Sequence, residues 1–231
     1  MKLLIAVPCM DMVHTIFMKS LLGLRRPEGT RISMTGSSLV YDARNRLVTE
    51  AINDGFDRIL WLDSDMEFPA DLCDRLMADL DEGRDFVAGC YFKRVMPTAP
   101  VFYQKVGYWR DEEKDTVTPL AMPYADYPLD QIFEVEGAGF GGAMVSVDLC
   151  RKVQDKFGLP FSPILGFGED LSFCVRARQL GATLWCDSRI KLGHVGLGTV
   201  REDTYLKQHT PLTEENHELA ERRKAGLAAD N

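Results

Sequence analysis

Five short apolar runs, at residues 2–7, 58–62, 85–91, 140–147 and 183–187, are separated by stretches whose hydrophobic residues recur with helical spacing. Each run is too short for a buried helix and suits a strand buried on both faces. Between the first two, residues 38–53 place Val40, Ala43, Leu47 and Ala51 on one helical face. A second helix is expected from Pro69, which suits a first helical turn, carrying Leu72, Leu76 and Leu80. A third is expected from Glu169 to Gly181, a residue that lets a chain leave a helix. This alternation predicts an α/β fold, a central sheet sandwiched by helices.

With 231 residues, of which 45% are hydrophobic and 27% charged, the chain can bury one substantial core. Residues 93–135 differ: Pro97, Pro100, Pro119, Pro123 and Pro128, with the charged run DEEKD, break long periodicity and predict small antiparallel strands and loops. From Thr199 the chain turns polar, and PLTEENHELAERRKAG reads as an exposed helix with a loose tail. The expected division is therefore 1–198 as the folded domain and 199–231 as its polar extension. The opening MKLLIAVP is followed by Asp11, His14 and Lys19 without a small-residue cleavage site, so it reads as a first strand and not as a targeting peptide. No run of 18 apolar residues exists to span a membrane. Six scattered cysteines read as core filler in a reducing cytoplasm. A formal net charge of −8 argues against nonspecific nucleic-acid binding. The basic clusters Arg44/Arg46, Lys93/Arg94 and Arg222/Arg223/Lys224 keep a phosphorylated small molecule in view.

The segment WLDSDMEF places Asp63 and Asp65 where an apolar strand stops. Strand ends of open α/β sheets are where ligands gather. In an extended chain the two carboxylates point the same way. Two such charges raise each other's pKa unless a cation lies between them, and a divalent metal is the simplest one. A helix cap with a solvated neighbour is the structural alternative. Arg44 falls inside the apolar stripe of the 38–53 helix, so it needs a core carboxylate, a ligand phosphate or the strand-end acids as partner. EGAGFGG, residues 136–142, allows the backbone to approach a bulky ligand closely, or marks a bulge. Glu169 and Asp170 follow a Gly-Phe-Gly turn and open a helix; capping accounts for one acid but not for both. His194 lies downstream between glycines.

In this order, DARN on a helix, WLDSD after a strand, the Gly-rich segment, GFGED on a helix and a late His resemble nucleotide-sugar glycosyltransferases of the glycosyltransferase A fold, especially family 2. ARN with WLDSDMEFP is also similar to mannan-polymerase-type mannosyltransferases. The likeness covers residues 1–196. It implies a single Rossmann-like nucleotide-diphospho-sugar transferase domain with a mixed central sheet and helices on both faces. It further implies a UDP- or GDP-sugar donor, a hydroxyl-bearing acceptor (glycan, lipid, protein or modified nucleic acid) and a Mn²⁺ or Mg²⁺ cofactor held by Asp65 and His194. Pro8, Cys9, Asp11, Arg44, Asp63 and Ser64 fall on the donor side. Gly139, Phe140, Gly141, Gly142, Phe167 and Gly168 fall on the acceptor side. Asp170 takes the place of the catalytic base with Glu169 beside it, which implies inversion; the mannan-polymerase likeness would imply retention. The segment PCMDMVHTIF departs from the family pattern and leaves the nucleoside open. A sugar-phosphate nucleotidyltransferase, whose Gly-rich basic loop PCMDMVHTIF does not supply, and a non-catalytic sugar-nucleotide-binding protein are the alternatives.

Overall fold

The computed structural model describes residues 1–196 and 198–209. The chain runs β1 (Leu3–Pro8), α1 (Thr15–Gly23), β2 (Arg31–Thr35), α2 (Val40–Asn53), β3 (Arg58–Leu62), β4 (Met66–Glu67), α3 (Leu72–Asp81) and β5 (Phe86–Cys90). It continues through β6 (Phe102–Asp111), β7 (Thr116–Pro123), β8 (Ile132–Val135), β9 (Gly137–Ala138), β10 (Gly142–Ser146), α4 (Val147–Phe157), α5 (Glu169–Gln179), β11 (Leu184–Lys191), β12 (Gly193–Val195), β13 (Thr199–Val200) and α6 (Glu202–His209). A seven-stranded sheet has the order β2-β1-β3-β10-β5-β11-β8. Neighbours pair in parallel at β1/β2, β1/β3 and β5/β11, whereas β10 runs antiparallel between β3 and β5, and β8 antiparallel to β11. The sheet is mixed, as expected.

Period-two alternation divides the core between the sheet's two faces. Leu4, Ala6, Ile59 and Trp61 pack with Leu47, Val48 and Ala51 of α2, Val153 of α4 and Phe173 of α5. Leu3, Ile5, Val7, Leu60 and Leu62 pack with Phe17 and Leu21 of α1 and with Leu72, Leu76 and Leu80 of α3 on the other. Each large apolar side chain so buried contributes about 1.5–3 kcal/mol. All six cysteines are free thiols, and the five that are buried fill the core.

Several boundaries move for identifiable reasons. The 140–147 run stops as a strand at Ser146, whose hydroxyl accepts from Leu149 N and caps α4. The helix expected from Pro69 begins at Leu72, after a turn in which Leu72 N donates to Pro69 O. The strand expected at 183–187 continues to Lys191, carrying the buried polar pair Asp187 and Ser188. Residues 102–123 form the antiparallel β6–β7 hairpin, which joins β9 in a separate sheet. Beyond Thr199, β13 and α6 are ordered against the domain: Tyr205 stacks on Phe92 at 4.6 Å. The polar helix expected from Pro211 lies outside the described residues, as does the Arg222/Arg223/Lys224 cluster. No helix among the described residues is long and apolar enough to cross a membrane.

Candidate active site

β3 ends at Leu62, and the chain then turns, with Met66 N donating to Asp63 O at 3.1 Å. This corrects the extended geometry expected for WLDSDMEF. Asp63 and Asp65 do not share one cation; each carboxylate has its own partner.

Asp63 faces Arg44. The α2 stripe that buries Leu47 and Ala51 carries the Arg44 side chain to 1% exposure, against Trp61, Phe140 and Phe161, with the guanidinium 5.5–5.8 Å from their ring centres. Its Nη2 lies 2.9 Å from Asp63 Oδ1 and 3.3 Å from Asp170 Oδ1, and its Nε lies 3.4 Å from Glu169 Oε1. One cation therefore gathers acids from the turn after β3 and from α5 that are more than a hundred residues apart in sequence. Burial opposes the guanidinium's charge, but Asp63, Asp170 and Glu169 outweigh it and hold its pKa above the ordinary value. Of the partners sequence left open for Arg44, the acids are the ones it meets.

Asp170 sits in the first turn of α5, and its Oδ2 accepts from Phe140 N at 3.2 Å. Burial pushes its carboxyl up; Arg44 opposes this, and the charges of Glu169 and Asp63 add to it, leaving a pKa of about 7. Asp63 is likewise raised by burial despite Arg44. Asp63 and Asp170, close beside one guanidinium in a buried site, cannot both ionise at little cost.

Asp65 belongs to a second group. Its Oδ2 pairs with Arg94 Nη1 and lies 3.5 Å from His194 Nε2. β12 pairs with β4 in this region, and Val195 N donates to Asp65 O at 2.8 Å, which brings the late His beside the strand-end acid. His194 Nδ1 donates to the Phe92 carbonyl at 2.9 Å, which leaves Nε2 directed at Asp65. Burial pulls the Asp65 pKa up, but His194 and Arg94 bring it below the usual carboxylate range. Burial lowers the His194 pKa, and the Asp65 and Phe92 hydrogen bonds raise it overall. No three His, Cys, Asp or Glu side chains among the described residues gather as a full metal set. Asp65 and His194 do provide a carboxylate and a correctly tautomerised imidazole side by side, which fits a metal that completes its shell from ligand oxygens and water.

Pro8, Cys9, Asp11 and Ser64 line one cleft of about 610 Å³, joined by Ser37 and Arg94. The donor-side residues other than Arg44 and Asp63 are thus brought together. The acceptor-side expectation needs correction. Gly139, Phe140, Gly141 and Gly142 are buried, and the close neighbours that require glycine are the protein's own side chains, not an open ligand site. A Cβ on Gly139 would lie 2.1 Å from the Tyr91 hydroxyl, and one on Gly142 would lie 2.2 Å from Leu192. Phe140 is fully buried in the core and serves the site only through its N–H. Phe167 is 6% exposed and packs on Tyr108 of the hairpin, whereas Gly168 is exposed at the start of α5. Gly139→Ala should therefore displace Tyr91, whose hydroxyl accepts from Gly141 N, and cost roughly 1–3 kcal/mol in urea unfolding.

Tyr91 and Arg94 complete the site but do not stand out in sequence as site residues. Tyr91 ends the apolar 85–91 run and looks like core; only the Lys93/Arg94 dipeptide gives a signal.

The architecture defined by these elements is a mixed α/β domain with acids at the end of a central strand. The same fold occurs in A197 from STIV, with a TM-score of 0.60 and 19% identity over 85% of this chain and 86% of that one. S. aureus TarS, residues 1–349, aligns at a TM-score of 0.49 with 15% identity over 81% of this chain and 58% of that one. No family model and no curated protein matches the sequence.

Proposed function

We propose that this chain is a metal-dependent glycosyltransferase that moves a sugar from a nucleotide diphosphate to an acceptor hydroxyl with inversion. The observation that carries the reading is the gathering of Asp63, Glu169 and Asp170 by buried Arg44, beside the Asp65–His194 couple and the strand-end cleft. The cleft formed by Pro8, Cys9, Asp11 and Ser64 receives the nucleotide. Asp65 and His194 would hold Mn²⁺ or Mg²⁺, which when bound offsets charge developing on the leaving diphosphate. Asp170 takes the acceptor's proton as the acceptor oxygen bonds to the anomeric carbon and the carbon–phosphate oxygen bond breaks. Its raised pKa suits a base that works near neutral pH. Glu169 orients the acceptor, and Arg44 fixes the acids without touching either substrate.

A panel of UDP- and GDP-sugars read by thermal shift tests this. A donor that stabilises the protein should do so with Mn²⁺ and not without it, because binding to the native state raises its stability by mass action. Asp65→Ala should abolish that metal-dependent shift. An unchanged Mn²⁺-dependent shift in this variant would remove Asp65 from the metal site.

A further inference from the structure

Arg94 is placed where a bound metal would contend with it. Its guanidinium pairs with Oδ2 of Asp65, the same oxygen that faces His194 Nε2. It also donates to Val195 O at 3.3 Å, and its stem lies over Gly196, where a Cβ would come within 3.3 Å of Arg94 Cβ and Cδ. The backbone around it is tied down, with Lys93 N donating to Ala99 O at 2.8 Å and the Thr98 hydroxyl to Lys93 O at 2.6 Å. The long side chain is thus what can move, and it is 48% exposed. Its other surroundings are the 610 Å³ cleft with Pro8, Asp11 and Ser64.

We infer that Arg94 is an internal counter-cation: it occupies the Asp65 carboxylate until a divalent metal binds there, and then turns into the cleft to grip the donor's diphosphate. This rests on the reading that Asp65 and His194 take the metal. A guanidinium and a metal ion cannot both use Asp65 Oδ2 without strong repulsion, so metal entry expels the guanidinium. A planar guanidinium matches phosphate oxygens with paired hydrogen bonds, so a diphosphate in the cleft is the partner that would hold it there. The coupling is reciprocal: by drawing Arg94 away from Asp65, a diphosphate strengthens metal binding.

The test uses the full chain, Mn²⁺ alone and Mn²⁺ with inorganic pyrophosphate, with free Mn²⁺ followed by electron paramagnetic resonance and pyrophosphate binding by calorimetry. Arg94→Gln keeps the stem over Gly196 and removes the charge. It should bind Mn²⁺ alone roughly fivefold tighter or more, and pyrophosphate at saturating Mn²⁺ roughly tenfold weaker. Arg94→Lys should restore part of both. Equal or weaker Mn²⁺ binding by Arg94→Gln, with binding lost in Asp65→Asn, overturns the role of Arg94 and leaves the metal reading standing. Mn²⁺ binding that persists in Asp65→Asn overturns both. Tighter Mn²⁺ binding with unchanged pyrophosphate affinity overturns the transfer into the cleft.

Discussion

Arg44→Met should destabilise the protein by about 3–5 kcal/mol at neutral pH, the usual cost of leaving buried charges without their partner. Methionine preserves most of the apolar contact with Trp61, Phe140 and Phe161, so the loss reports the charge and its hydrogen bonds more than the volume. Without the guanidinium, Asp63, Glu169 and Asp170 confront one another in a part-buried site, with side-chain exposures of 31%, 18% and 24%. The variant must protonate them or open the start of α5 to water. Arg44→Lys should recover only part of the loss, because one ammonium cannot reach acids both after β3 and on α5 with the geometry of a planar fork. Urea unfolding with circular dichroism measures both variants; an Arg44→Met midpoint equal to the parent's would mean that the acids do not depend on this cation.

Asp170→Asn should leave metal-dependent donor binding intact and slow transfer by roughly 10² or more, the scale of a lost general base. Asparagine retains an oxygen that can accept from Phe140 N, so the local fold is kept. In the parent, the rate should rise with pH through about 7 as Asp170 gives up its proton, and that limb should vanish in the variant. Stability moves the opposite way. The folded-state pKa is raised from the ordinary 3.8 to about 7, so the folded chain holds this proton more tightly than the unfolded one. The resulting stabilisation is complete below 3.8 and is lost as pH rises to about 7, and Asp170→Asn should flatten that part of the stability profile. Undiminished transfer by the variant would take Asp170 out of the proposed mechanism.

The strands buried on both faces were legible because nothing interrupts their apolar runs, and α2 was legible because its stripe is regular. Arg44 was visible as a basic residue in that stripe, and the stripe itself demanded a charged partner. Other elements were hidden for physical reasons. α1 is the segment TIFMKSLLG, whose apolar residues surround too much of the helix to read as a stripe. α4 follows β10 without any polar break except Ser146, so the run reads as one strand. β2 is a half-exposed edge strand with no apolar run at all.

Within the site, the family resemblance implied Asp65 and His194 together but not the separation of Asp63 from Asp65, which depends on the turn that Met66 closes onto Asp63. In sequence, the glycines of 136–142 read as room for a ligand or as a bulge. Their neighbours are Tyr91, Val101 and Leu192, which come from distant strands and loops that no local pattern reveals.

The shared guanidinium also constrains how such a sequence can drift. Losing Arg44 alone leaves Asp63, Glu169 and Asp170 without their shared cation, and a neutral residue at position 63, 169 or 170 alters the charge balance at the other two. Loss of residue 44 should therefore be accompanied by loss of charge among positions 63, 169 and 170, even though they are encoded far apart.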